Sequence, residues 1–335
     1  MGFNNPSLHA ASVEVKTSSM LRLLSSCALV SQTNWTSRFE WNSNYSSCLN
    51  IDKCHFHGFS YNGNGGAISC EIYGATILVE RCSFQYCIIN GNNKGGAIFM
   101  VDCGGAKIVS SCSYYMIAPD RGQFFSIQVL PGCQFHVNYS TVCMCCPNYE
   151  GLLHVMRIYG GVQVSCNLNT SRNKLSKYGS GVCFMTTRSV VISQASIINN
   201  NGDIALELSN NESCNANMMN FVNNSAYFGS YNYLITGDNM NLYFHYCHFM
   251  KNNYTSLFSN RLLTKTSILN QCIYDKTSGI ESFSLSSCIF TNLFATQVIN
   301  HVSMIECFDY WTMRKTQRLT IKKGNTMFIM LLALY

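Results

Sequence analysis

The stretch Asn62–Cys70 reads NGNGGAISC, and Asn92–Met100 reads NNKGGAIFM, so Gly-Gly-Ala-Ile occurs twice with a spacing of 30 residues. Glycine-rich loops can cradle phosphate, but neither copy has the Lys-Ser/Thr pair of a P-loop or the third glycine of a dinucleotide turn. Two copies at this spacing instead indicate a structural repeat whose corner leaves no room for a Cβ atom. The stretch therefore predicts an architecture and not a nucleotide site.

A second pattern, cysteine followed by any residue and then an apolar residue, recurs along the chain in steps of 23 to 31 residues. Some copies replace the cysteine or the apolar residue. The copies are Cys54–Phe56, Cys82–Phe84, Cys112–Tyr114, Cys143–Cys145, Cys166–Leu168, Ala195–Ile197, Met219–Phe221, Cys247–Phe249 and Cys272–Tyr274. The first and third residues of a strand share a face, so each copy predicts a short strand. The predicted inward column contains Cys54, Phe56, Cys82, Phe84, Cys112, Cys166, Cys247, Phe249 and Cys272.

Asparagine-rich segments such as IINNNG and FVNNSA follow many of these strands. Asparagine and glycine tolerate left-handed backbone angles, so these segments predict turns that stack from one coil to the next. Stacked side-chain amides can then hydrogen-bond along the column. The predicted glycine corners are Gly65, Gly66, Gly95 and Gly96, with Gly179 and Gly181 of YGSGVCFM as a looser copy.

The alternation of Gly-Gly-Ala-Ile with Phe-x-x-Asn resembles the repeat of the polymorphic outer-membrane proteins of chlamydiae. It is still more similar to Cys- and Asn-rich surface proteins of trichomonad protists. The matching residues are Gly65–Ile68, Gly95–Ile98, Phe135–Asn138 and Phe249–Asn252, with Phe221–Asn224 as a near variant. The resemblance covers roughly residues 48–292. It implies an all-β fold, a single-stranded, right-handed parallel β-helix of the pectin-lyase type with about nine to eleven coils, on a cell surface or secreted.

Composition independently favours an all-β chain without a nucleic-acid interface. Charged residues make up 11% of the 335 residues, against roughly 25% in typical soluble domains, so polar surface must come from uncharged side chains. Such residues suit strands and turns better than exposed helices. Five of the basic residues behind the net charge of +6 lie within residues 314–323, which leaves 17 basic against 16 acidic residues elsewhere. The body is nearly neutral, which excludes the basic footprint of a nucleic-acid-binding protein.

The expected organisation has three parts. Residues 1–47 form an N-terminal flank or cap, residues 48–310 form the β-helix, and residues 311–335 form a basic and then apolar tail. The apolar run Met327–Tyr335 is shorter than the roughly 20 residues of a membrane span, so the tail is either a terminal strand or a truncated membrane anchor. Membrane association, if present, is expected through this tail.

The 19 cysteines raise the question of disulfides or a metal. CMCC at Cys143–Cys146 lies near His136 and His154, but it lacks the paired C-x-x-C spacing of zinc sites. HYCHF at His245–Phe249 contains His245 and His248. Strand alternation places Cys247 inside, so the two histidines are interpreted as solvent-facing and not as ligands with this thiol. We therefore expect no metal and no cofactor. The inward cysteines are interpreted as small hydrophobic residues packed in a column.

No local carboxylate motif of a polysaccharide lyase or hydrolase is visible, although such enzymes share this fold. The sequence thus favours a non-enzymatic surface or secreted solenoid for adhesion, with a host protein or a glycan as partner. The alternatives are a polysaccharide lyase or hydrolase on the same fold and a truncated, inactive relative. Convergence of carboxylates from neighbouring coils would distinguish the enzyme.

Overall fold

The computed structural model describes residues 27–31, 37–41, 47–148, 151–176, 180–185, 188–209, 212–226, 232–237, 240–259, 266–281 and 283–291. All regular elements in these residues are β-strands, and every strand pair among them is parallel. The strands stack turn upon turn into a β-solenoid. The predicted all-β, parallel solenoid is therefore confirmed.

The larger sheet has 19 strands, and most turns contribute two of them. These strands are β1 (Ala28–Val30), β3 (Cys48–Asp52), β4 (His55–His57), β7 (Thr76–Glu80), β8 (Ser83–Gln85), β11 (Gly105–Val109), β12 (Cys112–Tyr114), β14 (Gln134–Cys143), β16 (Val162–Ser171), β18 (Ser189–Ser193), β19 (Ser196–Ile198), β21 (Ser213–Asn217), β22 (Asn220–Val222), β24 (Asn241–His245), β25 (His248–Met250), β27 (Ser267–Asn270), β28 (Ile273–Tyr274), β29 (Ser284–Ser286) and β30 (Ile289–Phe290).

The second sheet has nine strands, one from each turn that it covers. They are β2 (Phe39–Trp41), β6 (Ile68–Cys70), β10 (Ile98–Cys103), β13 (Phe125–Val129), β15 (Met156–Tyr159), β17 (Ser180–Met185), β20 (Ile204–Ser209), β23 (Tyr233–Gly237) and β26 (Ser256–Phe258). A short pair, β5 (Ser60–Tyr61) and β9 (Ile88–Ile89), completes the pairing.

The core lies between the two sheets, and strand alternation fills it. In β18 and β24 every second residue is buried, as a strand with one face on the core requires. Equivalent inward residues stack in register: the Phe56 and Phe84 rings lie parallel with centroids 5.0 Å apart. Phe221 and Phe249 repeat the arrangement at 5.3 Å. Identical inward positions on successive turns thus form continuous apolar columns.

Most of the predicted inward column lies inside, and two members do not. Cys54, Phe56, Cys82, Phe84, Cys247, Phe249 and Cys272 are buried in the core. Cys112 pairs with Ser83, so the residue of that turn equivalent to Phe84 is Ser113. Cys166 is partly exposed, and Leu168 takes the inward position beside Ser140. Because strand side chains alternate, a register error of one residue reverses the face.

The glycine corner consists of stacked backbone. The Gly65 and Gly66 amides donate to the carbonyls of Lys94 and Gly95, one turn away. Gly65 and Gly95 both have φ of 71°, where a Cβ is strained, and a Cβ on Gly66 would lie 2.3 Å from the Gly96 carbonyl oxygen. These amides are already bonded and cannot cradle a phosphate.

The looser glycine copy differs from this corner. Gly181 lies within β17, where a Cβ would approach the Ala205 carbonyl oxygen at 2.8 Å, and it does not have a positive φ. Gly179 falls outside the described residues. The expected third corner is therefore a strand at Gly181.

The strand pairing extends beyond the expected boundary at residue 48. β1 pairs with β3, and β2 pairs with β6, so parts of the expected flank belong to the two sheets. Cys27 forms a disulfide with Cys48. At the other end, residues 292–335, including the tail at 311–335, are outside the described residues. Within the described part of the chain, no helix has the length and apolar character to cross a membrane.

Candidate functional site

An outer ridge runs along one corner of the solenoid, formed by one residue of positive φ in each of eight successive turns. Its members are Gly58, Tyr86, Tyr115, Met144, Arg172, Asn199, Asn223 and Lys251. Except at Lys251, their amides donate to carbonyls one turn further along, as in Tyr86 to Tyr114. The next residue in each turn points inward, so the ridge residues project outward and are mostly exposed.

The first turns of the ridge carry a surface cluster of four rings, which we call the aromatic cluster: His57, Tyr86, Tyr114 and Tyr115. The Tyr86 ring lies 5.0 Å from that of Tyr115 and 5.6 Å from that of Tyr114. His57 stands edge-on to Tyr86 at 5.4 Å. Tyr86 is 39% exposed. The cluster therefore presents an aromatic surface that extends over three turns.

Tyrosine is one of several strained choices at these ridge positions. Left-handed backbone angles cost an ordinary residue about 1–2 kcal/mol, whereas glycine adopts them freely and asparagine does so more readily. The same ridge uses Gly58, Asn199 and Asn223 at some turns and Met144, Arg172 and Lys251 at others. The feature that distinguishes Tyr86 and Tyr115 is the contact between their rings on adjacent turns.

The cluster also offers polar atoms. Burial and the neighbouring Tyr86 raise the pKa of the Tyr114 phenol above its ordinary value. Tyr114 therefore stays a neutral hydroxyl that donates and accepts hydrogen bonds at physiological pH. A shallow hollow beside the rings is lined by Gln85, Tyr114, Ser113 and Cys143, among others. Rings and hydrogen-bonding groups thus lie side by side.

In the two cysteine motifs considered for metal, the described cysteines and histidines do not converge on one point. Cys143, Cys145 and Cys146 are buried, and the Cys146 thiol lies 2.7 Å from Gln123 Oε1. His136 contacts Gln134 and not these thiols. Burial raises the pKa of Cys145 to about 12, which keeps its thiol protonated. CMCC is a buried structural segment.

In HYCHF, Cys247 points into the core while His245 and His248 lie on the other side of the strands. His245 contacts the Asn270 amide at 3.2 Å. His245 and Cys247 are two residues apart but face different ways, because Tyr246 between them has φ of 56°. The structure instead brings His154 to Cys183 and Glu207, an arrangement that sequence analysis did not find.

Sequence analysis also missed the aromatic cluster, although the sequence contains a signal for it. Tyr86 and Tyr115 each stand four residues after an inward corner residue, Cys82 and Ser111. Only the correct phase of the repeat aligns the two tyrosines.

Comparisons with protein-family models, curated proteins and solved structures gave no match.

Proposed function

We propose that this protein is a non-enzymatic, surface-displayed or secreted β-solenoid that adheres to glycans through the aromatic cluster. The single observation behind this is the cluster itself, in which the exposed Tyr86 ring contacts the partly buried Tyr114 and Tyr115 rings of the next turn. The likeness of the repeat to chlamydial and trichomonad surface proteins supports the proposed location. The test below also distinguishes a glycan from a host protein as the partner.

The chemistry of the cluster fits a sugar. The axial C–H groups of a pyranose form an apolar face that packs on a tyrosine ring, and its hydroxyls require neutral donors and acceptors. Tyr114 and Gln85 offer such groups beside the rings. The stacked turns hold the rings in place before binding, which lowers the entropic cost of association. Such a surface favours extended, repeating ligands, as solenoid faces commonly do.

The acid pair Asp52 and Glu80 does not support the alternative that the protein is a lyase or hydrolase. Asp52 and Glu80 occupy paired positions on adjacent turns. Arg81 lies across both, with nitrogen–oxygen distances of 2.7 Å to Asp52 and 3.8 Å to Glu80. Its guanidinium is ion-paired with both acids. This group is an ion-paired surface element.

A glycan array followed by titration calorimetry tests the proposal with the full chain, the double variant Tyr86→Ala/Tyr115→Ala, and Tyr246→Ala. Tyr246 is the matched control because it is 43% exposed, has φ of 56°, and lies at another corner. We expect the double variant to bind at least about 10-fold more weakly, since each lost stacking contact is worth about 1 kcal/mol or more. The control should bind like the wild type.

Two results would overturn the proposal: the array shows no glycan bound by the wild type, or the double variant binds as tightly as Tyr246→Ala. Capture of a protein with no glycan dependence would replace the glycan by a protein partner. Staining of intact cells with an antibody to the chain checks the location, and staining only after permeabilisation contradicts it.

A further inference from the structure

A mixed group of nitrogen, sulfur and oxygen donors lies on the second sheet, apart from the aromatic cluster. The donor atoms of His154, Cys183 and Glu207 lie within 4.8 Å of one another. Cys183 and Glu207 hold paired positions on β17 and β20, and Arg157 holds the same position on β15. His154 precedes β15 by two residues. Three successive turns thus converge on one point.

Cys183 faces away from the hydrophobic core and is nevertheless fully buried. Its neighbours Val182 and Phe184 belong to the core, so alternation turns Cys183 to the outer face of the sheet. His154 Nδ1 lies 3.5 Å from Glu207 Oε2, although their turns are two apart. The two side chains therefore reach along the stack toward each other and cover the thiol in the turn between them.

We propose that His154, Cys183 and Glu207 bind a divalent transition-metal ion, with Zn²⁺ as the best fit. The inference is independent of glycan binding. Imidazole nitrogen, thiolate sulfur and carboxylate oxygen are the three ligand types that zinc accepts in proteins. Bonds of about 2.1 Å to nitrogen and oxygen at a tetrahedral angle separate the two atoms by about 3.4 Å. The observed 3.5 Å between His154 and Glu207 matches that edge.

A hydrogen bond from a neighbouring serine orients the carboxylate of Glu207. Ser209 Oγ donates to Glu207 Oε1 at 3.3 Å, which leaves Oε2 directed at His154. Partners of this kind orient metal ligands and typically change metal affinity by about 10–100-fold. Three protein ligands leave a fourth position for water. Glu207 is the most exposed of the three, so that water would enter from its side.

The electrostatics are compatible with a metal. His154 and Glu207 offer a nitrogen and an oxygen, and Cys183 offers a sulfur, within 4.8 Å of one another. On binding, the thiol releases its proton to solvent as the sulfur–metal bond forms. Thiolate and carboxylate then balance the two charges of the ion.

A purely structural histidine–glutamate contact explains less of this arrangement. The distance of 3.5 Å between His154 Nδ1 and Glu207 Oε2 is long for a hydrogen bond. Such a contact also gives no reason for a thiol to lie beneath it. A metal accounts for the convergence of all three side chains.

Titration of the purified, reduced full chain with Co²⁺ tests the site, because thiolate ligation produces a charge-transfer band in the near ultraviolet. We expect one Co²⁺ per chain with this band, and displacement by Zn²⁺. Cys183→Ser should abolish the band. Cys166→Ser, which removes a partly exposed thiol elsewhere on the surface, should retain it. Ser209→Ala should weaken binding by about 10-fold.

Glu207→Gln keeps the shape of a partly exposed side chain, so it tests the site even if Cys183→Ser fails to fold. Its affinity for Co²⁺ should fall by at least about 10-fold, because losing a direct ligand weakens binding no less than losing a residue that orients one. A wild-type chain without the band at saturating Co²⁺ would overturn the proposal. So would a Glu207→Gln variant that binds like the wild type, or a band that survives in folded Cys183→Ser.

Discussion

The inner side of the ridge corner is built from sulfur in the first turns and from amides in the later ones. Cys87, Met116 and Cys145 occupy it first, and Asn173, Asn200, Asn224 and Asn252 occupy it afterwards. The main-chain bond that follows the corner is the same in both halves: Ile117 donates to Cys87 in the first, and Ser225 donates to Asn200 in the second. The two halves therefore differ in the side chain at the inner corner position and not in the main-chain bond.

The amide half forms a continuous ladder. Asn200 Oδ1 accepts from the backbone N–H of Asn173 and from its Nδ2, at 3.0 and 2.9 Å. Asn224 and Asn252 repeat the pattern one turn further each. In the sulfur half, the Cys87 thiol approaches carbonyl oxygens only at 3.7–3.9 Å. The same corner is thus closed by hydrogen bonds in one half and by packing in the other.

The largest expected effect comes from breaking the ladder with Asn224→Ala. The change removes the acceptor of the buried Asn200 N–H and the donor to the Ile197 carbonyl. An orphaned buried donor costs about 1–3 kcal/mol, and the lost side chain adds a cavity, so we expect a loss of about 3 kcal/mol. Unfolding in urea measures the change.

Cys87→Ala is the matched variant in the sulfur half. It removes one buried sulfur atom with weak polar contacts, so we expect a loss of about 1 kcal/mol. Equal losses for the two variants would show that the ladder adds nothing beyond burial.

A smaller effect than that of Asn224→Ala is expected from Gly96→Ala, at the glycine corner of the sulfur half. The new Cβ would lie 2.1 Å from the Gln123 carbonyl oxygen, which belongs to the backbone of the next turn. Relieving this contact should cost about 2 kcal/mol. Gly74→Ala is the control: Gly74 has a positive φ but open space around it, so about 1 kcal/mol is expected. Similar thermal and urea stabilities of the two variants would contradict the stacked-corner interpretation.

The sequence predicted the solenoid because its signals are local and repeated. Which residue of each turn points inward is harder to predict when the cysteines are used to align the turns. The inward corner position is occupied by Ser111, Ser140 and Leu168 in three successive turns. The sequence pattern assigns this position to the nearby cysteines instead. With Ser111, Ser140 and Leu168 the steps from Cys82 become 29, 29 and 28, more even than the steps between the cysteines.

The two candidate sites could not be predicted, because each is assembled from different turns. His154, Cys183 and Glu207 are separated by 29 and 24 residues and share no motif. Tyr86 and Tyr115 align only after the phase is corrected. Residues that share a column can be identified only when the strand register is known. An error of one residue in the register reverses every face, so sites on a solenoid are hard to predict from sequence.

The smallest expected effect is a difference in alkaline stability between sulfur and amide corners. Burial raises the pKa of Cys87 from 9.0 to about 12. Above about pH 9 the unfolded chain loses this thiol proton while the folded chain keeps it, so the unfolded state binds fewer protons and stability falls as pH rises. The contribution is fully present below about pH 9 and declines above it. Amides do not titrate, so the ladder adds no such dependence.

Urea unfolding at about pH 8 and about pH 10, on either side of the thiol's ordinary pKa, measures this difference. The stability gap between wild type and Cys87→Ala should shrink at the higher pH, because only the wild type carries the buried thiol. The gap between wild type and Asn224→Ala should stay the same. A Cys87 gap that is constant or grows with pH would mean that this thiol ionises as easily in the folded chain as in the unfolded one, and the sulfur corner would then be open to water.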